Sequence, residues 1–210
     1  MENGNDSGKA LKESSDADRD PLLALQGGDV TLFESFVRSE SGRFLAFFRR
    51  LGARPSEAED LVQDLFLKMF RHAHTYQPAG KFEAYAFRIA KNTWIDHQRR
   101  RAVRPFWRSG QAEDDDRAPE LCVRSDSPSP GEAAERKEAA RTVMDALATL
   151  SEGQRLVFEL GVLQELPYAE ISALLEIPEG TVKSRMHHAL RKLRAAIEGL
   201  SPEDSEEFRA

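Results

Sequence analysis

The chain has 210 residues, 36 acidic against 30 basic side chains, and a formal net charge of −6. That length suits one large or two small domains. The single cysteine, Cys122, excludes an intramolecular disulfide and fits a reducing compartment, so the expected location is cytoplasmic. No apolar run is long enough to span a membrane, and the polar opening MENGNDSGKALKESSDADRD reads as neither a signal nor a transit peptide.

The charge is sorted into blocks. Residues 1–20 hold six acids and three bases, and residues 201–210 hold four acids and one base. Lys81 to Arg104 carries seven bases and two acids, ending in Arg99–Arg100–Arg101, whereas Ala112 to Glu135 carries eight acids and two bases. A further basic stretch begins at Lys183. Two basic faces separated by an acidic connector predict two contacts with a polyanion.

After an acidic tail over 1–20, a first helical domain is expected over 21–104. Val30 to Leu51 reads as one helix or a bent pair, with Phe33, Phe36, Val37, Phe44, Leu45, Phe47, Phe48 and Leu51 in the core and Gly52 ending it. Ser56 and Glu59 have capping-box spacing and predict the start of a helix running to about His72. Its inward residues are Leu61, Val62, Leu65, Phe66, Met69 and Phe70. Asp60, Gln63 and Asp64 stand at i, i+3 and i+4 and share the opposite face. Such a face suits plain solvation, a metal-binding pair or a docking surface. The loop HTYQPAG leads to a helix over Phe82 to Arg101, in which Tyr85, Phe87 and Trp94 suit core packing better than base stacking. The Pro-, Ser- and Asp-rich stretch over 105–133 reads as a flexible acidic linker.

A second domain is expected over 134–198, followed by an acidic tail over 199–210. Ala134 to Leu150 forms a helix, and a Ser151–Gln154 capping box opens another to Leu163. The segment LPYAEISALLEIPEGTVKSRMHHALRKLR then reads as two helices around a break at Ile177–Pro178. The first has an apolar stripe of Ala169, Ile171, Leu174 and Leu175. The second is lined inside by Val182, Met186, Ala189, Leu190 and Leu193 and carries Lys183, Arg185, Arg191, Lys192 and Arg194 with no acid among them. This is the layout of a helix-turn-helix whose second helix can enter a major groove. The fold class is therefore all-α: two small helical domains joined by the linker. No catalytic arrangement is found, no metal site is assigned and no cofactor is expected. His72 and His74 have no clear third ligand.

Three motifs in order, EAEDLVQDLFLKMF, FEAYAFRIAKNTWIDHQRRR and LSEGQRLVFELGVLQELPYAEISALLEIPEGTVKSRMHHALRKLR, resemble the extracytoplasmic-function sigma factors of bacterial RNA polymerase. The resemblance implies a non-enzymatic subunit that binds the polymerase through the clamp helices of its β′ subunit and recognises the −10 and −35 elements of promoter DNA. An anti-sigma factor is a further partner the family often uses. Carried over, Asp60, Leu61, Gln63 and Asp64 match the polymerase-docking positions. Asn92 matches the asparagine that holds a flipped −10 base, with Lys81, Arg88, Lys91, Arg99, Arg100 and Arg101 as surrounding cations. Thr181, Lys183, Ser184, Arg185, His187, His188 and Arg191 match the −35 reading helix. The family commonly has Trp where Tyr85 stands and often Arg where His188 stands. Read without the resemblance, Asn92 is a surface helix residue, and the two histidines either meet DNA or pack on the preceding helix.

Overall fold

The computed structural model describes residues 20–78, 82–103 and 130–198. Lys81, the linker and most of both tails lie outside these residues. The described chain is helical, with no strand among the described residues. In order it forms α1 (Pro21–Gln26), α2 (Thr31–Leu51), α3 (Pro55–His72), a 3₁₀ turn (Ala73–Thr75) and α4 (Phe82–Val103). After the linker come α5 (Pro130–Ala148), α6 (Glu152–Phe158), a π-helical turn (Glu159–Leu163), α7 (Tyr168–Leu175) and α8 (Glu179–Glu198).

α1 was not anticipated. Its start is encoded locally: Pro21 sits in the first turn, where a missing amide costs nothing, and the Asp20 carboxylate accepts from the amides of Leu22 and Leu23. α2 is continuous rather than a bent pair, and it ends at Gly52, whose φ of 104° suits a residue without Cβ. α3 begins two residues earlier than the Ser56–Glu59 spacing suggests. Pro55 takes the first helical position, Arg54 is the cap, and the Glu57 carboxylate accepts from the Arg54 amide at 2.9 Å. The Ser151–Gln154 box at the start of α6 forms as expected, with both reciprocal bonds present.

α2, α3 and α4 pack around an aromatic cluster. Phe36 meets Phe66 and Phe82 edge-on at 5.9 and 4.9 Å, and Phe44 lies 5.2 Å from Phe87. Each such pair contributes about 0.5–1.5 kcal/mol beyond its buried area. Two side chains expected inside are outside: Phe70 is 53% exposed, leaning on Phe33 across 6.0 Å, and Leu190 is 48% exposed. Ala169 is likewise exposed on α7.

The two halves do not keep separate cores. Leu156, Val157, Leu160, Leu166 and Ile171 belong to the same buried cluster as Phe47, Phe48, Leu51 and Trp94. α2 touches α6, and α4 touches α7. A smaller cluster joins Ala146, Leu147 and Leu150 of the α5 end to Ala189 and Leu193 of α8.

Candidate nucleic-acid and polymerase interfaces

Three surfaces carry the side chains singled out from the sequence. The first lies on α3. Helical spacing and packing of the opposite face on the core leave Asp60 and Gln63 exposed and Asp64 half-buried. Leu61, grouped with them by resemblance, is 4% exposed, so it holds the helix in place and offers no docking atom. Leu67 was missed: at i+7 from Asp60 and i+3 from Asp64 it continues the same face and is 50% exposed. An exposed Leu on an otherwise polar helical stripe was the available signal.

The second surface is on α4. Arg88, Asn92 and Arg99 stand at i−4, i and i+7 and share one exposed face, with Arg100 and Arg101 exposed beyond it. The Arg88 guanidinium sits 5.2 Å from the Tyr85 ring centroid, a cation–π contact. Lys91 departs from its expected role: it is 7% exposed and faces inward, so its ammonium is not presented to a polyanion in this arrangement. Phe87 and Trp94 are core residues, 1% and 0% exposed, as helical spacing suggested. Lys68 ties α3 to α4, donating to Thr93 Oγ1 at 3.2 Å and pairing with Asp96 at 3.3 Å.

The turn entering the 77–81 segment is held from below by α1. Tyr76 donates its hydroxyl to Asp20 Oδ2 at 2.7 Å, and Gln26 Nε2 donates to the carbonyls of Ala73 and Tyr76, each at 2.7 Å. The Tyr76 ring stands 4.6 Å from Tyr85 and 6.5 Å from Phe82. Burial, followed by the bond to Asp20, pushes the Tyr76 hydroxyl well above the usual tyrosine range, and burial raises Tyr85 too. Both phenols stay protonated at physiological pH, and Tyr76 is the donor to Asp20.

The third surface is the helix-turn-helix. Glu176 ends α7 at φ 57°, Ser172 Oγ donates to the Ile177 carbonyl at 2.6 Å, and the Thr181 amide donates to Pro178 O at 2.8 Å. Behind it, Gly161 packs closely: a Cβ there would stand 2.5 Å from Met186 Cε and 3.2 Å from Ile171 Cδ1, so those side-chain ends would have to shift. Ser184, His187, His188 and Arg191 then fall at i, i+3, i+4 and i+7, and half-buried Thr181 precedes them by one turn. Both histidines are exposed and their rings meet edge-on at 5.7 Å. Lys183 is exposed beside this face and pairs with Glu179 at 3.1 Å. Arg185 is half-buried and turned towards α6, its guanidinium lying where a side chain on Gly153 would stand.

The arrangement offers carboxylate, carboxamide, guanidinium and imidazole groups on open helix faces. Among the described residues no three His, Cys, Asp or Glu side chains group to hold a metal ion, and no helix is long and apolar enough to cross a membrane.

Comparison with known proteins separates the two halves. Residues 36–104 match the family described as Sigma-70 region 2, and residues 140–193 match Sigma-70, region 4. The ECF RNA polymerase sigma factor SigF of Caulobacter vibrioides is 33% identical over 81% of this chain and 89% of its own length. The ECF RNA polymerase sigma factor SigE of Mycolicibacterium smegmatis is 32% identical over 77% of this chain, which spans 60% of that relative's length. Among solved structures, the sigma factor RpoE of Bartonella quintana, in complex with the anti-sigma factor NepR, superposes with a TM-score of 0.60 at 22% identity. The match covers 79% of this chain and 96% of that one.

Proposed function

This chain belongs to the extracytoplasmic-function group of the sigma-70 family, and from that premise we propose that it is a dissociable subunit giving bacterial RNA polymerase its promoter choice. The observation that carries the reading is the coincidence of both sigma regions with two separate exposed helix faces, one on α4 and one on α8. Each half has the chemistry its region needs, and neither needs a bound cofactor to present it.

In this reading residues 21–104 dock on the polymerase and open the start site, and residues 134–198 read the upstream element. Asp60, Gln63 and Asp64 engage the β′ clamp helices, with Leu67 adding an apolar contact. Asn92 offers the two hydrogen-bonding ends of a carboxamide to the edge of an extruded −10 base, which also needs a shaped pocket and nearby cations. Arg88 and Arg99 lie on its face and supply the cations, with Arg100 and Arg101 next along the helix. Tyr85 and Tyr76 pack edge-on beside this face. On α8, Ser184, His187, His188 and Arg191 face the −35 duplex, and Lys183 and Thr181 contact its backbone, since phosphate contacts set register while base contacts specify. Lys91 and Arg185 are better suited to packing than to DNA.

The protein works in the cytoplasm with the polymerase and performs no catalysis of its own. An anti-sigma factor is a fitting partner, as for the solved relative bound to NepR. A gel-shift comparison on a fork-junction promoter tests the reading. Core polymerase plus this chain should retain the DNA, and either component alone should bind it weakly. Tight, sequence-specific duplex binding by the chain alone would instead indicate an autonomous repressor.

A further inference from the structure

One acid stands among the cations of the α4 face. Asp96 follows Asn92 by four residues and precedes Arg99 and Arg100 by three and four, so helical spacing sets its carboxylate beside the stripe of Arg88, Asn92 and Arg99. Its side chain is 45% exposed. An acid placed there works against a polyanion in two ways. It repels a phosphate directly, and it competes for the neighbouring guanidinium groups. An acid four residues N-terminal to a base is the favoured order for a helical ion pair, which makes Arg100 its natural partner within α4.

A cation from another helix takes that place. Lys68 of α3 reaches across to α4, where its Nζ lies 3.3 Å from Asp96 Oδ2 and donates to Thr93 Oγ1 at 3.2 Å. Thr93 is 2% exposed, so its hydroxyl is a fixed anchor that holds the ammonium on the α4 side. Asp96 is paired with Lys68 and with neither Arg99 nor Arg100, both of which are exposed. Lys68 follows Asp64 by four residues and so borders the docking stripe of α3, yet its charge is directed at α4. A pair as open to water as this one contributes little to stability. Its effect falls instead on the charge that the α4 face presents.

We propose that Lys68 is a positioning residue for promoter opening: it holds the Asp96 carboxylate away from Arg99 and Arg100 and cancels its charge, so that the Asn92 face meets a single strand as a cationic surface. The proposal rests on the sigma-factor reading for the identity of that strand. Without Lys68, Asp96 turns to Arg100 and removes one cation from the strand. Each phosphate contact on a single strand contributes about 0.7 to the slope of log affinity against log salt, or about fivefold in affinity at about 0.1 M salt.

The test uses the full chain with core polymerase on a fork-junction promoter whose −10 segment is single-stranded. Anisotropy across a salt series gives affinity and slope, and competition with a reference sigma factor gives core binding. Lys68→Met keeps an apolar stem of similar length. It should compete normally for core, bind the fork about fivefold more weakly at about 0.1 M salt and lower the slope by about 0.7. Adding Asp96→Asn to it should restore both quantities, because no carboxylate is left to mask, and Lys68→Arg should behave as wild type. Asp96→Asn alone should bind at least as tightly as wild type, which decides the matter if Lys68→Met fails to fold. Lys68→Met equal to wild type, a double variant as weak as Lys68→Met, or weakened binding by Asp96→Asn alone would each overturn the proposal. A wild-type holoenzyme with no promoter preference would remove the sigma-factor reading instead, and the same variants of the chain alone on a randomised single strand would still report the masking of Asp96.

Discussion

Asp20→Ala is the substitution that most directly connects α1 to the proposed −10 surface. The carboxylate does three things at once: it accepts from the amides of Leu22 and Leu23, capping α1, and from the hydroxyl of Tyr76 at 2.7 Å. Loss of a cap costs about 1 kcal/mol. Tyr76 is 6% exposed, so its hydroxyl would be left without a partner or water, at about 1–3 kcal/mol. Together the expected destabilisation is about 2–4 kcal/mol. In a Tyr76→Phe background only the cap is lost, so Asp20→Ala should then cost about 1 kcal/mol. Urea unfolding followed by circular dichroism measures both. Permanganate reactivity of promoter thymines should also fall in Asp20→Ala holoenzyme, because Asp20 holds Tyr76, whose ring stands 4.6 Å from Tyr85 on the helix that carries Asn92. A cost below about 0.5 kcal/mol, or equal costs in the two backgrounds, would refute the reasoning. Alkaline pH gives an independent check. The Tyr76 pKa is raised in the folded state, so the stability it contributes is fully present below the unfolded value of about 10 and is lost as pH rises above it. Tyr76→Phe should therefore weaken the loss of stability above about pH 10.

Alanine at Asp60, Gln63 and Asp64 together should leave stability within about 0.5 kcal/mol per site, as at other surface positions, while competition for core polymerase against a reference sigma factor drops sharply. Asn92→Ala should bind polymerase and the −35 duplex normally yet fail to raise permanganate reactivity at the start site; normal melting would return Asn92 to an ordinary surface role. Gly161→Ala pushes a methyl into Met186 Cε and should cost about 1 kcal/mol by overpacking, seen as a lowered thermal midpoint, and the increment should shrink in a Met186→Ala background.

Periodicity carried most of the helices, since the apolar faces of α2 and α3 repeat cleanly and Gly52 closes the first of them. The cap of α3 lies two residues before Ser56 because two acids follow Pro55: Glu59 has the familiar spacing from Ser56, but Glu57 accepts from the Arg54 amide at the true boundary. α1 escaped notice because six residues are too few for a periodic signal, and its stability comes from Gln26 and Tyr76 contacts roughly fifty residues apart in sequence. Phe70 and Leu190 show the opposite failure, apolar residues at inward spacing that the described helices leave about half exposed. The union of the two halves was beyond pattern reading, because nothing local pairs Arg50 with a residue 109 positions away. One trace of it was present: Glu159 stands inside the apolar run from Leu156 to Leu163, where a charge is stable only with a partner. The exposed stripes of α3, α4 and α8 were legible from helical spacing, whereas the inward turn of Lys91 and the packing of Arg185 against Gly153 depend on tertiary neighbours.

Run-off transcription with core polymerase on a randomised promoter library tests the central claim most directly. Adding this chain should produce discrete start sites whose templates share two sequence blocks, one near −10 and one near −35, and Asn92→Ala should abolish the transcripts without freeing the polymerase. A transcript profile unchanged from that of core polymerase alone would contradict the account.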